Sequence, residues 1–129
     1  GKWIATCQDH GDGTSSQSTA TFAGNIFATN VVIYTDPACS VVNTAKGPFT
    51  RSGTLKIGNS LTTISGLSSE QLDVTTLEDD GVKVNQQIYD IFRIEGNKLY
   101  LGKYTTANDG KTAAKRPTDL DFDWYFTKV

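Results

Sequence analysis

An all-β fold is predicted: a single antiparallel up-and-down meander closed into a roughly eight-stranded barrel, with one disulfide and little or no helix. Three observations predict it. Thr supplies 18 of the 129 residues and sits among Val, Ile, Phe and Tyr, and β-branched and aromatic side chains fit a pleated, half-buried surface. Apolar and polar residues alternate through several runs, as a sheet with one dry and one wet face requires. Gly-Asn and Asp-Gly pairs punctuate those runs at short intervals, and helical periodicity is hard to find anywhere.

Taken in order, Lys2-Trp3-Ile4-Ala5-Thr6-Cys7 reads as the first strand, and Asp9 to Gln17 as a Gly/Ser/Asp loop. Three later segments share one pattern, an apolar run, Gly-Asn, then another apolar run: Phe22–Phe27, Lys56–Leu61 and Ile94–Leu99. Gly-Asn supplies the positive φ of a tight turn, so each predicts a hairpin. Asp36-Pro37 turns the chain. In Phe49–Ile57 one face holds Phe49, Leu55 and Ile57 while the other holds Thr50, Ser52, Thr54 and Lys56. Ser68-Ser69-Glu70-Gln71-Leu72 has a cap-like start and predicts at most one helical turn before the strand-like Asp73-Val74-Thr75-Thr76. Asp80-Gly81 predicts a fourth hairpin, joining Leu72–Leu77 to Val82–Ile94. Near the end, Leu120, Phe122, Trp124 and Phe126 alternate with Asp119, Asp121, Asp123 and Tyr125 as a last strand. About nine strand segments without crossover helices make a meander, and closure into a barrel removes its edges most simply. The two tryptophans, Trp3 and Trp124, fall on the apolar phase of the terminal strands, which are expected to pair.

Length predicts one domain over residues 1–129. With 37% hydrophobic and 20% charged residues, wholesale disorder is not expected. No apolar run nears the ~20 residues of a membrane span. A net charge of −2 argues against a nucleic-acid partner. Cys7 and Cys39 are the only cysteines, and their spacing fits no zinc or redox motif. Their strand-end placement predicts a bridge, hence a secreted, periplasmic or outer-surface lipoprotein location; two buried reduced thiols are the alternative. A start at Gly1 and the absence of Met are expected of a processed or trimmed chain, and a lipid anchor upstream is compatible with both.

Gly1-Lys2-Trp3 resembles the G-x-W that opens the first strand of lipocalins and related calycin barrels, and the length, the meander order and the ending Trp124–Val129 resemble that superfamily too. The chain departs from fatty-acid-binding proteins, which insert a helix pair after the first strand, and from typical lipocalins, which carry a C-terminal helix. The first third, with Trp3-x-x-x-Cys7, Thr21-Phe22-x-Gly24-Asn25 and Tyr34-x-Asp36-x-x-Cys39, also resembles small bacterial secreted or lipoprotein domains of unassigned role. These resemblances imply architecture and location, and no activity.

No catalytic constellation, metal site or cofactor is expected. His10 is the single histidine, flanked by Asp9 and Asp12, and two or three loop ligands do not make a rigid divalent site. There is no G-x-S-x-G elbow to pair with it. Asp119, Asp121 and Asp123 would stand ~7 Å apart along a strand, but on its wet face, where ordinary acidity and edge protection are the simpler reading.

The informative anomalies lie on apolar faces. Arg51 shares a face with Phe49, Leu55 and Ile57; Gln86 and Asp90 share theirs with Val84, Ile88 and Phe92. Inside a barrel such groups either satisfy one another or address a polar ligand head, so Arg51, Gln86 and Asp90 are the candidate ligand-binding residues. Tyr89 and Ile91, on the opposite face, read as a small exposed apolar spot. With Lys111, Lys115 and Arg116 of the long connection Thr105–Asp119, they are the candidate partner contacts. Function is accordingly expected to be non-enzymatic: a binding module holding a small apolar or amphipathic ligand, or a protein-interaction domain such as an adhesin component or an inhibitor of a secreted hydrolase. A lumen filled by side chains favours the second.

Overall fold

A computed structural model describes residues 1–129. Nine strands are present: β1 (Lys2–Ala5), β2 (Gln8–Asp9), β3 (Ser15–Ala23), β4 (Ile26–Tyr34), β5 (Phe49–Thr62), β6 (Ser68–Asp79), β7 (Val82–Glu95), β8 (Lys98–Leu101) and β9 (Phe126–Lys128). All belong to one sheet in the order β1-β9-β8-β7-β6-β5-β4-β3-β2, and β1 also pairs with β3. Every pairing is antiparallel. β2 lies on the same flank of β3 as β1 and extends it, with Ile4 opposite Thr19 and Gln8 opposite Ser16. The result is an eight-stranded closed barrel with one extra strand. The only helix is one 3-10 turn, Ala113–Lys115.

Closure rests on β1, which presents one edge to β3 and the other to β9, with Trp3 opposite both Ala20 and Lys128. Trp3 and Ala5 point inward and join Ala20, Leu99 and Phe126 in the core, against which Phe22, Phe92, Leu101 and Trp124 pack. Trp3 is buried; Trp124 is only half-buried and meets the Phe126 ring edge-on at 5.1 Å. Cys7 and Cys39 are bridged, with Cα atoms 6.0 Å apart. The bond ties the β1–β2 connection to the loop after β4.

Three of the four predicted hairpins exist. Gly24-Asn25, Asp80-Gly81 and Gly96-Asn97 each join consecutive strands, with φ of 60° at Gly24, 51° at Asp80 and 60° at Gly96. Gly58-Asn59 does not turn the chain. β5 runs straight through it with a register shift between Ile57 and Ser60, and the turn comes later, where Gly66 takes φ 85°. Gly58 lies close to a neighbour there: a Cβ would stand 2.8 Å from the Gln71 side-chain oxygen, which would have to swing aside. Ser68–Leu72 is strand, not a helical turn, because β5 and β7 both offer it a ladder. The acidic row is not a strand either. Only Phe126–Lys128 is regular, since Asp121 Oδ1 accepts from the Asp123 and Trp124 amides and bends the chain.

Candidate functional site

The barrel interior is not filled. A cavity of about 210 Å³ opens at the end bearing the Gly24 and Gly96 turns, walled by Trp3, Phe22, Leu55, Ile57, Leu72, Phe92, Ile94, Leu99 and Leu101. Ile57 and Ile94 form its rim and are more than half exposed. A second cavity of about 220 Å³ lies deeper; its walls include Phe27, Val74, Ile88 and Phe126, and its polar groups are Thr29, Arg51, Thr76, Asp90 and Tyr104. Phe22, Leu55, Leu72 and Leu101 belong to both. Three other pockets of the chain are larger, about 380, 480 and 560 Å³, but the first and last lie among outward-facing positions such as Thr19, Thr21, Thr54 and Lys83, and the second lies between Ile64, Gln71 and the Ala113–Thr118 segment.

Arg51 and Asp90 line the deeper cavity as their strand phase predicts, yet they do not pair. Arg51 is held opposite Asp79 by the β5–β6 register, with Nε 3.4 Å from its carboxylate, and the guanidinium side chain is 60% exposed. This is a surface-type ion pair and contributes little. Gln86 is opposite Thr76 but stands exposed beyond the cavity wall, so it is at the rim and not in the site. Gly53, between Arg51 and Leu55, has no room for a side chain: a Cβ would overlap the Thr75 carbonyl and touch Phe27 at 3.0 Å.

Asp90 has its own network. Its Oδ1 accepts from the amides of Ile91 (2.7 Å) and Gly102 (3.0 Å), and its Oδ2 accepts from the Tyr104 hydroxyl (2.6 Å). Continuing the Phe92–Leu101 register would make Ile91 and Gly102 the next rung of β7 and β8. The carboxylate takes both amides instead, where the β7–β8 ladder ends. Gly102 is required, because a Cβ would sit 2.5 Å from Oδ1 and 2.6 Å from Pro117. Burial raises the Asp90 pKa to about 6 against the lowering by Tyr104, the two amides and the Arg116 charge. Tyr104 is raised as well, by burial of its hydroxyl and by the Asp90 charge, although its ring remains half exposed.

The predicted partner contacts need correction. Ile91 is fully buried and Tyr89 half-buried, because the connection after β8 folds over the outer face of β6 and β7. Tyr89 donates its amide to Gly110 O at 2.8 Å. Arg116 is not a free cation: its Nη1 donates to Asp90 O (2.7 Å), its Nη2 to Asp73 Oδ1 (2.7 Å), and its guanidinium lies 5.4 Å from the Tyr89 ring centre. Lys111 and Lys115 remain exposed. Sequence reasoning missed Tyr104, Thr29, Thr76 and Gly102. Strand phase marks Thr29 and Thr76, whereas Tyr104 and Gly102 sit in a loop start that carries no phase.

Elsewhere, both His10 ring nitrogens are taken, Nδ1 by Thr14 Oγ1 at 3.1 Å and Nε2 by Ser16 Oγ at 2.9 Å. No group of three His, Cys, Asp or Glu side chains comes together as a metal site. Asp119 departs from ordinary acidity: the Ser65 hydroxyl hydrogen-bonds its carboxylate and lowers its pKa. No protein-family model matches the chain, and no curated protein is significantly similar to it.

Proposed function

We propose that the barrel binds a small apolar or amphipathic molecule in its lumen and performs no chemistry on it. The observation that carries this is the unfilled interior: adjoining cavities of about 210 and 220 Å³ inside a single small barrel. Apolar walls with a few convergent polar groups are what such ligands need. Arg51, Thr29 and Thr76 offer polar contacts at one end, whereas Asp90 is already satisfied by its neighbours and serves as wall. The order of the strands and their closure support a place among calycin-like barrels. A disulfide, and the lack of any helix long and apolar enough to cross a membrane, support a secreted, periplasmic or outer-surface lipoprotein location. The test is titration with N-phenyl-1-naphthylamine. Saturable, one-to-one fluorescence enhancement is expected, and its absence overturns the proposal.

A second reading, a protein-interaction domain, is favoured by one feature of the outer wall. Ile26, 57% exposed, and Leu77, 45% exposed, flank a surface depression of about 560 Å³ beside Glu78 and Lys83. Pull-down with Ile26→Asp as the control tests it; loss of a captured partner in the variant alone supports it.

A further inference from the structure

We propose that Phe22, Leu55, Leu72 and Leu101 form a collar that admits only slender, unbranched chains to the full lumen, with the apolar tail on the mouth side and the polar end on the Arg51 side. This rests on the lumenal binding proposed above. The four residues come from β3, β5, β6 and β8, spread around the barrel, and they are the walls the two cavities have in common. A ligand occupying both cavities has to thread between them. Leu72 is buried, and its strand is anchored from outside where Arg116 joins Asp73. Phe22, Leu55 and Leu101 are half-buried and reach into the same passage from three other strands. An unbranched methylene chain is the thinnest apolar body available, and a fused-ring ligand is held out of one cavity or the other.

Orientation follows from the walls. The mouth cavity offers no polar side chain, so a polar group lodged there goes unpaired, at a cost. The deeper cavity has Arg51, whose guanidinium meets only Asp79 in an ion pair, and the Thr29 and Thr76 hydroxyls. The expected ligand class is therefore a single-chain amphiphile, and bulky polycyclic molecules are excluded.

The experiment compares cis-parinaric acid, a linear chain, with pyrene, a fused-ring hydrocarbon. The folded wild-type protein should bind the linear probe at least roughly tenfold tighter, a typical discrimination for pocket shape. Leu55→Ala should bring pyrene to within about threefold of the linear probe, and Leu55→Trp should weaken the linear probe about tenfold or more. Leu101→Ala, on another strand, repeats the widening test if Leu55→Ala does not fold. Trp3 lines the mouth cavity, so in a Trp124→Phe background, where Trp3 is the sole indole, 12-bromododecanoic acid should quench its fluorescence and 2-bromododecanoic acid should not. Equal binding of pyrene and cis-parinaric acid by the wild type overturns the collar while leaving lumenal binding intact. The reverse quenching order overturns the orientation. Binding of neither probe by any variant overturns lumenal binding itself, and the collar with it.

Discussion

Asp90 is a carboxyl group whose burial favours its protonated form. Its folded pKa of about 6 lies above the ordinary 3.8, so the folded chain holds an extra proton between those values. The stabilisation is fully present below about pH 4 and is lost as pH rises through 6. The loss is on the order of 2–3 kcal/mol. Asp90→Asn, which keeps an acceptor for the Ile91 and Gly102 amides, should flatten that part of the profile. Urea unfolding from pH 4.5 to 8 should show the variant gaining on the wild type as pH rises; parallel profiles would contradict this. Asp12, Asp36 and Asp119 act oppositely. Hydrogen bonds lower their pKa, so their contribution is present above 3.8 and fades on acidification through their lower folded values. Arg51 gives a second residue-level prediction. Replaced by Leu it should cost no more than about 1 kcal/mol, whereas Asp90→Leu strands two amides and a hydroxyl at roughly 3 kcal/mol or more. The double variant should be additive within about 0.5 kcal/mol; strong coupling would mean the two side chains meet. Strand alternation placed both residues inward. It could not place them apart, because the β5–β6 ladder slips at Ser52/Gly53 and pairs Arg51 with Asp79.

At the scale of elements, one dipeptide serves two ends. Gly-Asn turns the chain at Gly24 and Gly96 but lies in a continuous strand at Gly58, beside a close Gln71 side chain. Local pattern names the glycine and cannot tell turning from crowding. Gly53 shows the crowding case most sharply. Gly53→Ala should lower stability by about 3 kcal/mol, at the upper end for overpacking, because the obstacle is the Thr75 backbone. The check is the urea midpoint. The connection after β8 was legible as long and basic but not as a cover. It leaves β8 where the Asp90 carboxylate takes the Gly102 amide, and is held by Arg116 reaching Asp73 and the Asp90 carbonyl. Arg116→Ala should release it at a cost on the order of 2–3 kcal/mol. Faster amide exchange at Tyr89, which bonds Gly110, should report that release directly; unchanged protection would show the strap held by other contacts.

For the whole molecule, the all-β barrel and its disulfide were readable from alternation, turn residues and two cysteines. The emptiness of the lumen was not, since it depends on how far side chains from opposite strands reach. Replacing Cys7 and Cys39 by Ala should cost roughly 3–4 kcal/mol in the chain-entropy account, given their separation of 32 residues. A lower urea midpoint would show it. The pairing of β1 with β9 has a further consequence, for the order of folding. Trp3 meets Lys128 across nearly the full chain, so the ring is joined by the contact with the greatest loop-closure entropy. Folding should be slow, in the millisecond-to-second range of non-local β topologies. Until that contact forms, β1 and β9 are bare edges able to recruit other chains. The chamber does not exist before the last strand docks. A molecule lodged in it therefore does nothing to hasten folding, and acts by lengthening the lifetime of the closed ring.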